Sequence, residues 1–350
     1  MSVLSGVLFH AIGAACASLC YVPQKKTRGW SWQTYWLAQA FVCWILLPML
    51  IAWVTVPHIM EVIKLAPTSA ILKSFFFGAA YGIGGTAFGV SIRYIGFSLT
   101  YAIAIGISCV LGTLLPPLVN GQMAALVSQP NVGWVFGGIG IGLVGIALCG
   151  QSGWYKENDL ALSKNQNTFN YAKGLPVCLL AGVLSALYGF ALDQGQPIAD
   201  IAAAQGAGHY QGNIVYVFAN AGAFLTSFSY CLYLHIKKNT FKEYILVVKK
   251  KFPFYLVINF LMAGLTGLLW YAQFFFYGLG HVRMGNYKFS SWSIHMIMLV
   301  MFSLIAGLAL KEWSACSRQT KVSLTKAIIV LLMAVLMITY GNYLGTEIKL

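Results

Sequence analysis

Trp270-Tyr271-Ala272-Gln273-Phe274-Phe275-Phe276-Tyr277, followed by Gly280-His281-Val282-Arg283, closes a run from 254 to 279 that holds no charged residue. A helix needs about 20 apolar residues to cross the hydrocarbon core of a bilayer, so this run predicts a transmembrane helix. At 3.6 residues per turn, Trp270, Gln273, Phe274, Tyr277 and His281 share one face. That face mixes aromatic rings with an amide, a phenol and an imidazole. Lipid does not reward polar groups without partners. The face is therefore expected to line a cavity that holds a small polar molecule.

The same reading extends along the chain. Ten runs are long and apolar enough to span: 3–22, 34–56, 69–92, 97–119, 132–151, 174–193, 212–235, 254–279, 290–310 and 324–345. With 59% hydrophobic and 9% charged residues, and a mean hydropathy of +0.74, the composition excludes a soluble domain. The predicted class is an all-α integral membrane protein of ten transmembrane helices. The first run lacks a basic leader, so it reads as a span and not as a cleaved signal peptide. Eight cysteines form no C-x-x-C pair and no zinc spacing, and read as small packing residues.

The net charge of +14 is no sign of nucleic-acid binding, because the basic residues sit in short connections between spans. The odd-numbered connections carry Lys25, Lys26, Arg28, Arg93, Lys156, Lys164, Lys173, Lys237, Lys238, Lys242, Lys249, Lys250, Lys251, Lys311, Arg318, Lys321 and Lys326. The even-numbered ones and the C-terminus carry Lys64, Lys73, Arg283, Lys288 and Lys349. This bias of 17 to 5 predicts cytoplasmic odd connections and both termini on the periplasmic side. Five spans precede the 152–173 connection and five follow, so residues 1–151 and 174–350 would form halves of opposite orientation. That is a five-plus-five inverted repeat, the architecture of many secondary transporters. The lysine-rich connection 236–252 reads either as a basic amphipathic helix on the membrane surface or as a loop whose charge sets topology; the loop reading is favoured.

Several residues inside the runs carry chemistry. Glycines 78, 82, 84, 85 and 89 in the third run and 137, 138, 140, 142 and 145 in the fifth predict close helix packing. Pro116-Pro117 marks either a helix terminus or a broken helix offering backbone groups to a cavity. His10, His281 and His295 are embedded, and histidine is the side chain whose charge changes near neutral pH, so each is a candidate proton carrier. Asp193 is the deepest carboxylate and a further candidate, although a helix-end aspartate is the favoured reading. Gln39, Ser108, Asn220, Asn259 and Gln273 are embedded polar groups. Among them only Gln273 has aromatic neighbours on its own helical face. The pattern offers no nucleophile with a neighbouring base, no phosphate loop and no metal ligand set, which argues against an intramembrane enzyme such as an acyltransferase.

A set of motifs in chain order now adds a family resemblance. They are Lys25-Lys26-x-x-x-Trp30-Ser31-Trp32, Arg93-Tyr94-x-Gly96-x-Ser98, Ile103-Ala104-Ile105-Gly106, Gly112-Thr113-Leu114, Asn120-Gly121, Trp270-Tyr271-x-Gln273-Phe274-Phe275-Phe276-Tyr277, Gly280-His281-x-Arg283, Ser291-Trp292-x-x-His295-Met296 and Lys311-Glu312-Trp313. The chain resembles the L-rhamnose–proton symporters, a branch of the drug/metabolite transporter superfamily. The resemblance implies a multi-pass protein of the bacterial inner membrane that imports L-rhamnose, or another 6-deoxyhexose, with a proton. The family pattern has an amide where this chain has Asp193, which argues against Asp193 as a shared proton carrier. On this reading Trp270, Phe274, Tyr277 and Trp292 face the apolar side of the sugar, and Gln273 and Asn220 bind hydroxyls. His281, His295 or His10 carries the proton. The expected partners are a small neutral sugar, protons and the lipid bilayer, with no cofactor, no metal and no nucleic acid. The alternative on the same fold is an exporter of metabolites or drugs.

Overall fold

The computed structural model describes residues 3–164, 170–245 and 254–347, and every regular element among them is helical. Ten of these helical segments are long and apolar enough to cross a membrane. In chain order, spans 1 to 10 are Val3–Lys26, Trp32–Thr55, Thr68–Ile92, Leu99–Val119, Val132–Leu160, Tyr171–Tyr210, Asn213–Lys238, Phe254–His281, Tyr287–Ala309 and Arg318–Gly345. They correspond one to one with the ten apolar runs. Helices are the form such runs take because hydrocarbon offers no partner to a backbone N–H or C=O.

Span 5 departs from its run by continuing as the helix Val132–Lys164. Its 33 residues reach about 50 Å, well past a hydrocarbon core of about 30 Å. The projecting turns are held by polar contacts. Asp159 accepts a hydrogen bond from the Ser317 backbone N–H at 2.8 Å and from the Thr320 hydroxyl at 2.7 Å, at the start of span 10. Lys156 pairs with Glu312 at 3.3 Å and lies 4.5 Å above the Trp313 ring.

The start of span 2 is secured in the same manner. Glu243 accepts from the Ser31 N–H at 2.7 Å, the Ser31 hydroxyl at 2.9 Å and the Thr34 hydroxyl at 2.5 Å. The sequences Ser31-Trp32-Gln33-Thr34 and Ser317-Arg318-Gln319-Thr320 thus each meet a distant carboxylate at a helix N-terminus, where the exposed N–H groups favour negative charge. Glu243 sits in the 3₁₀ turn Phe241–Tyr244, after span 7 ends at Asn239 in a left-handed conformation. The 236–252 connection therefore begins as a turn tied to span 2; residues 246–252 lie outside the described residues. At Pro116-Pro117 the helix Phe97–Val119 does not break. It ends three residues later, with the Asn120 N–H bonded to the Pro116 carbonyl, which is the terminus reading.

Two compact units make up the chain. The first comprises Met1–Ser18, Gly84–Phe190 and Phe276–Leu350; the second comprises Leu19–Ile83 and Ala191–Phe275. In the first, spans 5 and 10 approach through small residues: a Cβ on Gly138 would lie 2.9 Å from the Ile338 nitrogen, and one on Gly145 would lie 3.2 Å from the Leu331 nitrogen. In the second, a Cβ on Gly78 would overlap the Ala219 carbonyl of span 7, and one on Gly222 would overlap the Phe75 carbonyl of span 3. Gly85, Gly89 and Gly140 face open space and have no such role. One end of the second unit is closed by the short helices Ile59–Leu65 and Gln196–Ala202. Val62, Ile198, Ala199 and Ala202 are buried there in one apolar cluster with Ile214 and Val215.

Candidate functional site

In the first unit, three of the four proton-carrier candidates converge. Gly6 on span 1 and Gly280 on span 8 face each other so closely that a Cβ on either would lie about 3 Å from the other's carbonyl oxygen. This approach brings His10 against the end of span 8. The His10 ring is 5.2 Å from Tyr277 and 5.8 Å from His295, and Tyr277 is 5.4 Å from His295, all edge to face. His10 and His295 are buried, and neither ring has a side-chain hydrogen-bond partner among the described residues, while the His295 ring approaches the His10 backbone. A buried polar group left unpaired costs about 1–3 kcal/mol. A neutral imidazole carries one donor and one acceptor. Two imidazolium charges at this separation would repel strongly in a medium of low dielectric.

His281 differs. It stacks on Tyr277 at 5.8 Å, and its Nδ1 is 3.0 Å from the Ser291 hydroxyl. Trp292 occupies a slot made by glycines: a Cβ on Gly112 or Gly189 would meet its indole. Its N–H is used, donating to the Ser108 carbonyl at 2.9 Å, while its ring meets Tyr277 edge-on at 5.7 Å.

The second unit holds the other predicted residues. Trp270, Gln273 and Phe274 are all at most 8% exposed, as the helical face requires. Phe274 packs on Tyr216 of span 7 at 5.9 Å, one turn before the buried Asn220. Asp193 belongs to this unit and not to the histidine cluster. It is half-buried at the end of the helix Tyr171–Gln194 and accepts from the neighbouring Gln194 amide at 3.1 Å.

The sequence reading did not anticipate the surroundings of Trp270. Its ring lies 5.5 Å from Trp36, 5.7 Å from Trp44 and 5.5 Å from Tyr21, and Trp44 lies 6.3 Å from Tyr81. Spans 2 and 8 run side by side in the same direction. The Tyr35 hydroxyl donates to the Met262 carbonyl at 3.2 Å, Gly267 faces Gln39 and Val42, and Trp270 reaches Trp44. Gly267 permits the approach, since a Cβ there would lie 2.8 Å from the Gln39 carbonyl oxygen.

A wide turn, Val42–Leu46, lies in span 2, with the Leu47 N–H bonded five residues back to Val42. Pro48 follows; it has no N–H to give the Trp44 carbonyl, and its ring would press on that carbonyl in a regular helix. The wide turn relieves this and re-aims the side chains. In a plain α-helix Trp44 would point about 80° away from Trp36. One extra residue takes up roughly one 100° step and brings the two indoles to within about 20° of one face. Gln273 is not the only embedded amide with aromatic neighbours: Gln39 shares its helical face with Trp36 three residues earlier, and the wide turn adds Trp44.

A separate cleft in this unit, of about 390 Å³, is lined by Leu37, Phe41, Phe224, Phe228, Phe260 and their apolar neighbours. Its walls are almost wholly hydrocarbon and suit acyl chains better than a polar solute.

Residues 1–343 match the family model described as L-rhamnose-proton symport protein. The chain is 34% identical over 345 residues to the L-rhamnose-proton symporter of Cronobacter sakazakii, covering 97% of this chain and 98% of that protein. It is 32% identical, with the same coverage, to proteins of that name from Yersinia pestis and Yersinia pseudotuberculosis.

Proposed function

The chain belongs to the L-rhamnose-proton symport family, and on that premise we propose that it imports L-rhamnose together with a proton. The family is one of sugar–proton symporters, so its members are transporters and not enzymes. The carrying observation is the family match over nearly the whole chain. The embedded groups agree with it: an uncharged face suits a neutral sugar, and buried imidazoles suit a proton. Trp270, Gln273, Phe274 and Asn220 are the proposed sugar contacts in the second unit, with Tyr277 and Trp292 in the first. His10 and His295 are the proposed proton seat. The helix Phe254–His281 carries both Gln273 and Tyr277, so proposed sugar and proton contacts fall on one helix. Coupling requires that both ligands together favour the switch between outward and inward states.

The test is direct. Adding L-rhamnose to unenergised cells that express the protein should make the medium transiently alkaline, and a protonophore should stop accumulation. Accumulation that ignores the protonophore and requires sodium would refute the reading. Outward flux of an unrelated metabolite would favour the exporter.

The proposed setting is the bacterial inner membrane, with both termini periplasmic and the halves 1–151 and 174–350 arranged as an inverted repeat. The make-up of the two units supports the repeat. The second unit takes spans 2 and 7 whole, while the division between units cuts spans 1 and 6 and spans 3 and 8. Each pair is related by a shift of five, as an inverted repeat of five helices requires. Cysteines introduced as His58→Cys and Lys242→Cys in a cysteine-free background should label on opposite sides. An impermeant thiol reagent applied to spheroplasts should reach position 58 and spare position 242; the reverse pattern would invert the topology.

A further inference from the structure

Span 2 of the second unit carries a concentration of buried polar groups that packing does not explain. Gln39 is 1% exposed, and neither its amide nitrogen nor its amide oxygen has a partner among the described residues. The indole N–H groups of Trp36 and Trp44 and the hydroxyl of Tyr271 are in the same condition, in side chains at most 7% exposed. Four residues on two adjoining helices thus hold donors and acceptors that meet no hydrogen-bond partner among the described residues. Buried polar groups in proteins are nearly always paired, and in hydrocarbon the penalty for leaving them unpaired is heavier. Apolar side chains of similar size would pack here without that penalty. The wide turn before Pro48 is what brings Trp44 into the group.

We infer that Trp36, Gln39 and Trp44 of span 2, with Trp270 and Tyr271 of span 8, form a binding site for a neutral hydroxylated ligand of pyranose size. The chemistry is matched on both sides. An amide presents a donor and an acceptor side by side, which suits the vicinal hydroxyls of a sugar. Indole faces cover the apolar C–H side of such a ring, while their N–H groups and the Tyr271 hydroxyl reach its oxygens. No charged side chain belongs to the group, which suits a neutral ligand better than a carboxylate or phosphate. The indoles contact one another edge to face at 5.5–6.3 Å, so the ligand enters as Trp270 parts from span 2. This inference deepens the symport reading: it makes span 2 a specificity element for the sugar, and it rests on the transported solute being a sugar.

Gln39→Leu separates a binding role from a structural one. Leucine is close in size and needs no partner, so the variant should unfold at a higher temperature than the parent. Its dissociation constant for radiolabelled L-rhamnose, measured on purified full-length protein, should rise about 30-fold or more, as loss of two well-placed hydrogen bonds implies. Trp44→Phe keeps a ring and deletes the N–H; it should weaken binding roughly 5- to 10-fold and leave folding intact. Parental affinity in both variants would overturn the site. So would a fall in unfolding temperature for Gln39→Leu with unchanged binding in Trp44→Phe. The parent is measured first against L-rhamnose, L-fucose, L-mannose and D-glucose. If it binds another of these and not L-rhamnose, the substrate reading falls and the variants are judged with the sugar that binds. If it binds none, the site falls as well.

Discussion

His295→Ala should abolish concentrative uptake of L-rhamnose while leaving exchange of external for internal sugar intact. A proton crossing about 150 mV yields roughly 3.5 kcal/mol, enough for a gradient on the order of 300-fold. Without a proton seat, that ratio should collapse to about 1. The expectation rests on geometry: His295 and His10 are buried, their rings lie 5.8 Å apart, and neither ring has a side-chain hydrogen-bond partner among the described residues. His281 is the internal control. Its ring is engaged with the Ser291 hydroxyl at 3.0 Å, so His281→Gln, which keeps a hydrogen-bonding group, should retain concentrative uptake. Exchange must be measured beside uptake, because a misfolded variant loses both. If His295→Ala still concentrates the sugar in a protonophore-sensitive way, the histidine pair is not the carrier.

Trp270→Ala is expected to be the most destabilising of the aromatic replacements, by about 3 kcal/mol, as large-to-small changes in a packed core commonly are. The ring touches Trp36, Trp44 and Tyr21, so its loss opens a cavity at the meeting of spans 2 and 8. Within a bilayer there is little hydrophobic drive between helices, and the loss is one of packing. Trp53 supplies the comparison. It is 69% exposed near the end of span 2, and Trp53→Ala should change the unfolding midpoint little. L-Rhamnose should also bind Trp270→Ala weakly, whereas Trp270→Phe, which keeps a ring, should hold an intermediate place. Equal losses of stability from Trp53→Ala and Trp270→Ala would show that Trp270 is not a packing centre.

Much of this protein was legible in the chain. Ten uncharged or nearly uncharged runs gave ten spans, because in hydrocarbon a long apolar segment has no alternative to the helix. The face of span 8 was also legible. Trp270, Gln273, Phe274 and Tyr277 recur at helical spacing, and each is at most 8% exposed. Span ends were less so. The helix of span 5 continues to Lys164 because its charged last turns are satisfied by Ser317, Thr320 and Glu312, partners more than 150 residues away that no local pattern reveals.

The sequence by itself determined the membrane class, the helix count and which residues are too polar to face lipid, since each follows from the transfer of a segment between water and hydrocarbon. Only the tertiary structure decided which of those residues meet. His10 and His295 come together through a backbone approach at Gly6 and Gly280, and their separation along the chain leaves no periodic signal. Gln39 has Trp36 three residues before it even on a regular wheel, a neighbour the sequence reading passed over, but that wheel turns Trp44 away from it. The wide turn ahead of Pro48 turns Trp44 back, and Gly267 admits span 8 beside it. Periodicity records the average turn of a helix; a single added residue, and the neighbour that then fits, belong to the packed fold.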